Sequence, residues 1–302
     1  MSDVTVVLMA YGTPRSREEI EPYYTDIRRG RPPTPELLAE LVARYEAIGG
    51  LSPLAALTEA QRSTLADELE RRAPGRFDVV LGLKHAHPLI EETGAVLVDR
   101  GVTRIVGLVL APHFSSYSIG QYLGRLRTAV EPSGCEVNGI ESWATNAAYV
   151  SFLAGEVRRG LAALPAGSHV LFTAHSLPQR IIDAGDPYPT ELHSTASWVA
   201  AAAALPDGSW SVGYQSAGRT PEPWLGPDVR EAIDSLAAAG VPGVLVCPCG
   251  FVADHLEVLY DLDIEAAQHA QQAGIAFART ASMNADESVL GSLAERIVGL
   301  SS

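Results

Sequence analysis

Short apolar runs rich in β-branched residues alternate with longer helical patterns from one end of this 302-residue chain to the other. That alternation restricts the fold to the α/β class, because strands separated by crossover helices pair in parallel and are covered on both faces. The expected strands lie at residues 4–9, 79–83, 105–111, 169–173, 210–213 and 244–247, most of them continuous hydrophobic runs. The expected helices cover residues 36–48, 59–71, 89–100, 120–130, 147–163, 190–204, 227–239, 254–273 and 287–299.

An internal echo divides the chain. Ala10-Tyr11-Gly12-Thr13-Pro14 follows the first strand, and Ala174-His175-Ser176-Leu177-Pro178 follows the fourth. Val109-Leu110-Ala111-Pro112 is echoed in the same way by Leu245-Val246-Cys247-Pro248. The chain reads as two related halves meeting near residue 145. Ligands of open α/β sheets bind beyond the carboxyl ends of the strands, so Tyr11 and His175 are expected to face one cleft. No glycine-rich phosphate loop stands in a strand-to-helix context, which turns the expectation away from nucleotides.

Composition narrows the ligand further. With 36 acidic and 22 basic residues the net charge is −14, which argues against sequence-nonspecific nucleic-acid binding and favours attraction of cations. No apolar run approaches the roughly 18 residues of a membrane helix, and the N-terminus reads as a buried strand rather than a signal peptide. A soluble, cytoplasmic protein without integral membrane association is therefore expected. Cys135, Cys247 and Cys249 read either as buried core residues or as part of a metal or [2Fe-2S] site, for which they fall one thiolate short of the usual four.

Several groups of residues can carry chemistry. Glu257, Asp261 and Glu265 recur every four residues, one turn apart on one face of a helix. Like charges at that spacing repel unless they face water or handle cations, and Leu256, Leu259, Tyr260, Leu262 and Ile264 leave little of the helix free. His175, at a strand end, can exchange protons near neutral pH or bind a borderline metal. Tyr23, Tyr24, Arg28, Arg29 and Arg31 form a basic and aromatic segment, either a solvated patch or a site for a flat anion. Arg44, Tyr45 and Ser52 could add polar contacts to the same ligand. Lys84 and His85 mark another strand end, and the polar run from Pro112 leads to Tyr122 at the next helix. The proline-rich stretch from Gly213 to Pro227 reads as a rigid turn or as a cleft wall.

Taken together and in this order, these segments resemble the ferrochelatase family, in particular its soluble bacterial branch acting on coproporphyrin III. The matching stretches are residues 10–14, 44–54, 82–85, 111–122, 174–178, 213–227 and 251–265. The resemblance implies two Rossmann-like, chelatase-type domains with parallel sheets flanked by helices and a porphyrin in the cleft between them. The first would span residues 1–144, joined by a C-terminal helix at 285–302, and the second residues 145–284. It implies that His175 and Glu257 are the catalytic pair and also metal ligands, and that Asp261 and Glu265 continue an acidic path for the metal. Tyr11, Arg28, Arg29, Arg44, Tyr45, Ser52, Lys84, His85 and Tyr122 are the expected porphyrin-binding residues. The expected activity is insertion of Fe²⁺, a substrate, into the porphyrin by a monomeric enzyme of haem biosynthesis. The rival readings are a chelatase loading cobalt or nickel into another tetrapyrrole, and a porphyrin or haem carrier without catalysis.

Overall fold

The computed structural model describes residues 3–218 and 220–301. Residues 1 and 2 of the expected first unit, Arg219 of the proline-rich stretch and Ser302 of the expected closing helix lie outside the described residues. The strands are β1 (Val4–Ala10), β2 (Phe77–Leu83), β3 (Arg104–Val109), β4 (Glu136–Ile140), β5 (His169–His175), β6 (Trp210–Gln215), β7 (Gly243–Cys247) and β8 (Ala276–Arg279). The helices are α1 (Ile20–Ile27), α2 (Pro35–Ala47), α3 (Leu54–Arg72), α4 (Ile90–Asp99), α5 (Ile119–Val130) and α6 (Ala147–Ala162) in the first stretch of chain. They continue as α7 (Gln179–Asp183), α8 (Tyr188–Ala202), α9 (Val229–Ala238), α10 (Leu256–Leu259), α11 (Ala267–Ala273) and α12 (Glu287–Leu300).

Two four-stranded parallel sheets result, ordered β2-β1-β3-β4 and β6-β5-β7-β8. The order is the same in both, so the echoed motifs occupy equivalent places: Ala10-Tyr11 and Ala174-His175 end the second strand of each sheet order, and the Pro112 and Pro248 motifs end the third. The two strands without a sequence signal, β4 and β8, each form one edge of a sheet. Glu136–Ile140 alternates exposed and partly covered positions, and no residue of Ala276–Arg279 is fully buried, so neither carries a continuous apolar run. The short helices α1 and α7 were likewise not expected from periodicity.

Leu290, Leu293 and Ile297 of α12 are fully buried, and this helix packs on α3 and α6, linking the chain's end to the first half. Burying side chains of this kind contributes roughly 1.5–3 kcal/mol each. Asp286 caps the helix by accepting from the Val289 N–H, and Arg104 holds the Ser301 carbonyl at 3.3 Å. Near the cleft the halves are joined by polar contacts from α8 and the turn before it. Asp186 accepts from the Ser115 and Ser116 hydroxyls and the Ser116 N–H, while Glu191 accepts from the Phe114 N–H and the Ser142 hydroxyl. Thr195 donates to the Ala144 carbonyl, so it accepts from His113 Nε2 at 2.8 Å, and burial pushes the His113 pKa down to about 3. A neutral imidazole therefore ties the two halves together.

The cysteines divide between these cores. Cys135 packs with Leu97, Ile119 and Leu123 beside the first sheet, whereas Cys247 and Cys249 lie in the central core with Phe172 and Tyr149. The three do not converge, so the residues present do not fit a common cluster within one chain. Among the described residues no helix is long and apolar enough to cross a membrane.

Candidate functional site

His175 is the last residue of β5, and its position is fixed from behind. Gly250 approaches Ala174 so closely that a Cβ on it would lie 2.3 Å from the Ala174 Cβ, a contact only glycine permits. The His175 Nδ1–H donates to the Ser176 carbonyl at 2.5 Å, and Tyr188 donates its hydroxyl to the His175 carbonyl at 3.0 Å. Committing Nδ1 in this way selects the tautomer whose Nε2 lone pair faces outward. Nε2 lies 3.6 Å from Glu257 Oε1, and both side chains, though deep among protein atoms, keep 35% and 41% of their surface open.

Glu257 enters from the other side on α10. His255 caps that helix by accepting the Glu257 N–H on Nδ1 at 3.1 Å, and Gln215 donates to the Glu257 carbonyl at 3.0 Å while accepting from Thr173. Burial alone would lower the His175 pKa, but Glu257 and the Ser176 carbonyl reverse it and hold it above 6.5. Burial likewise works to raise Glu257, and His175, His255 and Arg44 pull it below the ordinary carboxylate value. The pair holds a proton between a histidine and a carboxylate on an open side, an arrangement that exchanges protons and, once His175 is neutral, offers a base beside an ionised carboxylate.

The acidic helix is not the single α-helix that the four-residue spacing suggests. Between α10 and α11, residues Asp261–Ala266 form a π turn in which the Glu265 N–H reaches the Tyr260 carbonyl, five residues back, at 3.0 Å. Along an α-helix, residues four apart drift about 40° around the axis. The wider π turn takes back part of that drift, which keeps Glu257, Asp261 and Glu265 in one line. Arg279 at the end of β8 clamps the turn through both oxygens of Asp263, at 2.6 and 2.9 Å, and also reaches Asp254 at 3.2 Å.

Asp261, its side chain only 12% exposed, accepts from the Ser216 hydroxyl and meets Arg44 at 3.4 Å. Its pKa is raised to about 6, chiefly by burial and then by the charge of Glu257, against the opposing pull of Ser216 and Arg44. Arg44 also reaches Glu265 at 3.9 Å and stacks on Tyr260 at 4.7 Å. Arg44, its side chain 26% exposed, thus serves the carboxylate line as well as standing where a contact with an anionic ligand is expected. His175, Glu257, Asp261 and Glu265 do not close into one cage: among the described residues no group of three such side chains is placed to hold a metal together.

The first half supplies the facing rim. Tyr11, 42% exposed, has the His85 ring 4.5 Å from its own and Tyr23 edge-on at 6.5 Å. Burial of its hydroxyl, then the charge of Glu257, hold its phenol pKa well above 10, which places Tyr11 within reach of the Glu257 charge. His85 bonds Asp26 at 2.6 Å, and Lys84 bonds Gln121 at 2.9 Å while lying over the Tyr122 ring. Burial, then Arg125 and Arg29, lower the Lys84 pKa to about 8. Arg28 folds back over Tyr24, and Arg29 is exposed at the end of α1 with a left-handed φ of 58°.

Three of the expected contacts are buried. Tyr45 is 3% exposed with its hydroxyl 3.5 Å from Thr13, Tyr122 is 5% exposed, and Ser52 accepts from the Leu54 N–H at the start of α3. Asp26, Gln121, Gln215, Ser216 and His255 carry no pattern of their own, and the ends of strands and helices they occupy are the signal that points to them. Two other concavities, about 600 Å³ between α4 and α5 and about 270 Å³ beside Asp186, lie away from the His175–Glu257 pair.

A ferrochelatase family model matches residues 3–299 of the chain. A ferrochelatase of Herpetosiphon aurantiacus is 42% identical over 97% of this chain and 98% of its own, and a coproporphyrin III ferrochelatase of Halalkalibacterium halodurans is 43% identical over 96% and 95%. The solved structure of SirB from Bacillus subtilis with Fe³⁺ matches the fold with a TM-score of 0.57 at 12% identity, over 99% of this chain and 95% of that one. With the family model spanning both sheets and the paired strand ends, the chain belongs to the ferrochelatase family.

Proposed function

We propose that this chain inserts Fe²⁺ into coproporphyrin III, giving coprohaem, and that His175 and Glu257 do the chemistry. The observation that carries the proposal is the 3.6 Å His175–Glu257 pair, open to the cleft and continued by Asp261 and Glu265. The reaction exchanges two pyrrole N–H protons for one Fe²⁺ and moves no electrons. His175 Nε2, freed by the Nδ1 bond to Ser176, takes a proton. Glu257, ionised by its neighbours, relays the second or meets the cation. Tyr11 lines the other porphyrin face, and the rim of Arg28, Arg29 and Lys84 receives propionates.

Asp261 and Glu265 pass hydrated cations inward, with Arg44 as the counter-charge that keeps the line from holding a metal too tightly. The two units of this reading are residues 1–144 with the helix at 285–302, and residues 145–284. The packing of α12 on α3 supports that division. In this reading the protein is a cytoplasmic monomer, and its net charge of −14 supports the absence of nucleic-acid binding. Relatives named coproporphyrin III ferrochelatase support the choice of porphyrin. The test is an anaerobic assay with Fe²⁺ and coproporphyrin III beside protoporphyrin IX, repeated with Co²⁺ and Ni²⁺. Faster iron insertion into coproporphyrin III is expected; metalation of neither porphyrin by iron would overturn the proposal.

A further inference from the structure

Arg180 has no part in the site described so far, yet it reaches across the cleft. It sits on the short helix α7, five residues beyond His175, with its side chain 57% exposed. Its guanidinium lies 5.5 Å from the ring centre of Tyr117, a first-half residue close enough to Tyr11 to influence its phenol. Its Nε–H is spent on Glu222 at 2.8 Å. The guanidinium also hydrogen-bonds the Tyr117 side chain, and among the described residues its one carboxylate partner is Glu222, on Nε, so an Nη edge is left to take a further carboxylate.

The position is held firmly for an exposed side chain. Gln179 N–H donates to the Pro223 carbonyl at 2.9 Å, Pro178 bridges to Trp224, and Trp224 donates to Thr220, which in turn meets Glu222. Pro221, Pro223 and Pro227 limit the freedom of the same stretch. A helix end, an aromatic shelf and a stiff loop thus present one cation to the cleft from the half opposite Arg28, Arg29 and Lys84.

We infer that Arg180 is a carboxylate subsite that binds a propionate on the tetrapyrrole edge away from the Arg28–Arg29–Lys84 rim. The inference rests on the proposed porphyrin activity and adds to it a reason for the choice of porphyrin. Protoporphyrin IX carries two adjacent propionates, which one rim can satisfy. Coproporphyrin III carries a propionate on every pyrrole, so a second rim is filled only by the latter. Arg180 is then a specificity-determining residue, and Tyr117 is the surface that keeps its charge in the plane of the ligand.

The test compares kcat and KM for anaerobic iron insertion into coproporphyrin III and protoporphyrin IX in the wild type, Arg180→Gln and Arg180→Lys, with circular dichroism as a check on folding. Arg180→Gln is expected to lower the preference for coproporphyrin III about tenfold, through a higher KM for that porphyrin, and Arg180→Lys to restore part of it. Fluorescence titration of each metal-free porphyrin should show the same ordering in Kd. An unchanged preference, or an equal loss on both porphyrins, would overturn the inference. If the wild type metalates coproporphyrin III while the preference of the variants stays unmoved, the subsite alone fails. If the wild type metalates neither, the proposed activity fails and the subsite with it.

Discussion

The two halves of this molecule share one sheet order, and they use the same strand ends for opposite chemistry. At the end of β1 the first half places Tyr11, and beside it Lys84, His85 and two exposed or half-exposed arginines. At the equivalent end of β5 the second half places His175 against Glu257, with a line of carboxylates behind. The cationic, aromatic rim suits a flat anion, and the acidic one suits protons and metal. The repeat teaches that the scaffold fixes where chemistry sits, while the residue just past each strand fixes which chemistry it is. The crossing contacts, Arg44 into the acidic line and Arg180 toward Tyr117, keep each rim in register with the other.

If the division holds, variants on the two rims should fail differently. The largest effect is expected from Glu257→Gln, which removes the charge facing His175 and should lower kcat by about 10²–10⁴ with little change in porphyrin affinity, measured by anaerobic single-turnover insertion. Next is Lys84→Ala on the opposite rim, expected to raise the porphyrin KM about tenfold and leave kcat near the wild-type value. A porphyrin KM effect from Glu257→Gln, or a kcat effect from Lys84→Ala, would break the comparison.

A smaller effect is expected behind the second-half rim. Gly250→Ala must push Ala174 and hence His175 out of place, so it should cost about 1–3 kcal/mol of stability and lower kcat, read by thermal melting and turnover together. The smallest effects are in pH. His175 holds its proton above pH 6.5, and only its neutral form can act as a base, so the acid limb of kcat/KM should lie above 6.5. Asp261 stays protonated up to about pH 6, so the metal KM should fall as pH rises through that value, and Asp261→Asn should remove that dependence.

Much of this was legible in the sequence, for identifiable reasons. Buried strands such as Val4–Ala10, apolar but for Thr5, and Gly243–Cys247 are covered along their whole length, and the Ala10-Tyr11 and Ala174-His175 echo marks equivalent strand ends that the sheet order confirms. The edge strands β4 and β8 escaped because one-sided burial leaves no continuous run. The four-residue carboxylate spacing pointed to the acidic line but hid the π turn, which depends on where Arg279 and Asp263 meet in space. Arg44 shows the same limit: the sequence offers it as a polar contact for a ligand, and nothing near it in the chain points to its contact with Asp261, 217 residues away.

The most direct test of the division of labour is His175→Ala, measured for porphyrin binding by fluorescence titration and for iron insertion by anaerobic single turnover. An unchanged Kd with insertion slowed at least about 10²-fold is predicted, because the rim cations hold the porphyrin and His175 only takes its proton. Insertion at the wild-type rate, or a loss of binding that matches the loss of rate, would contradict it.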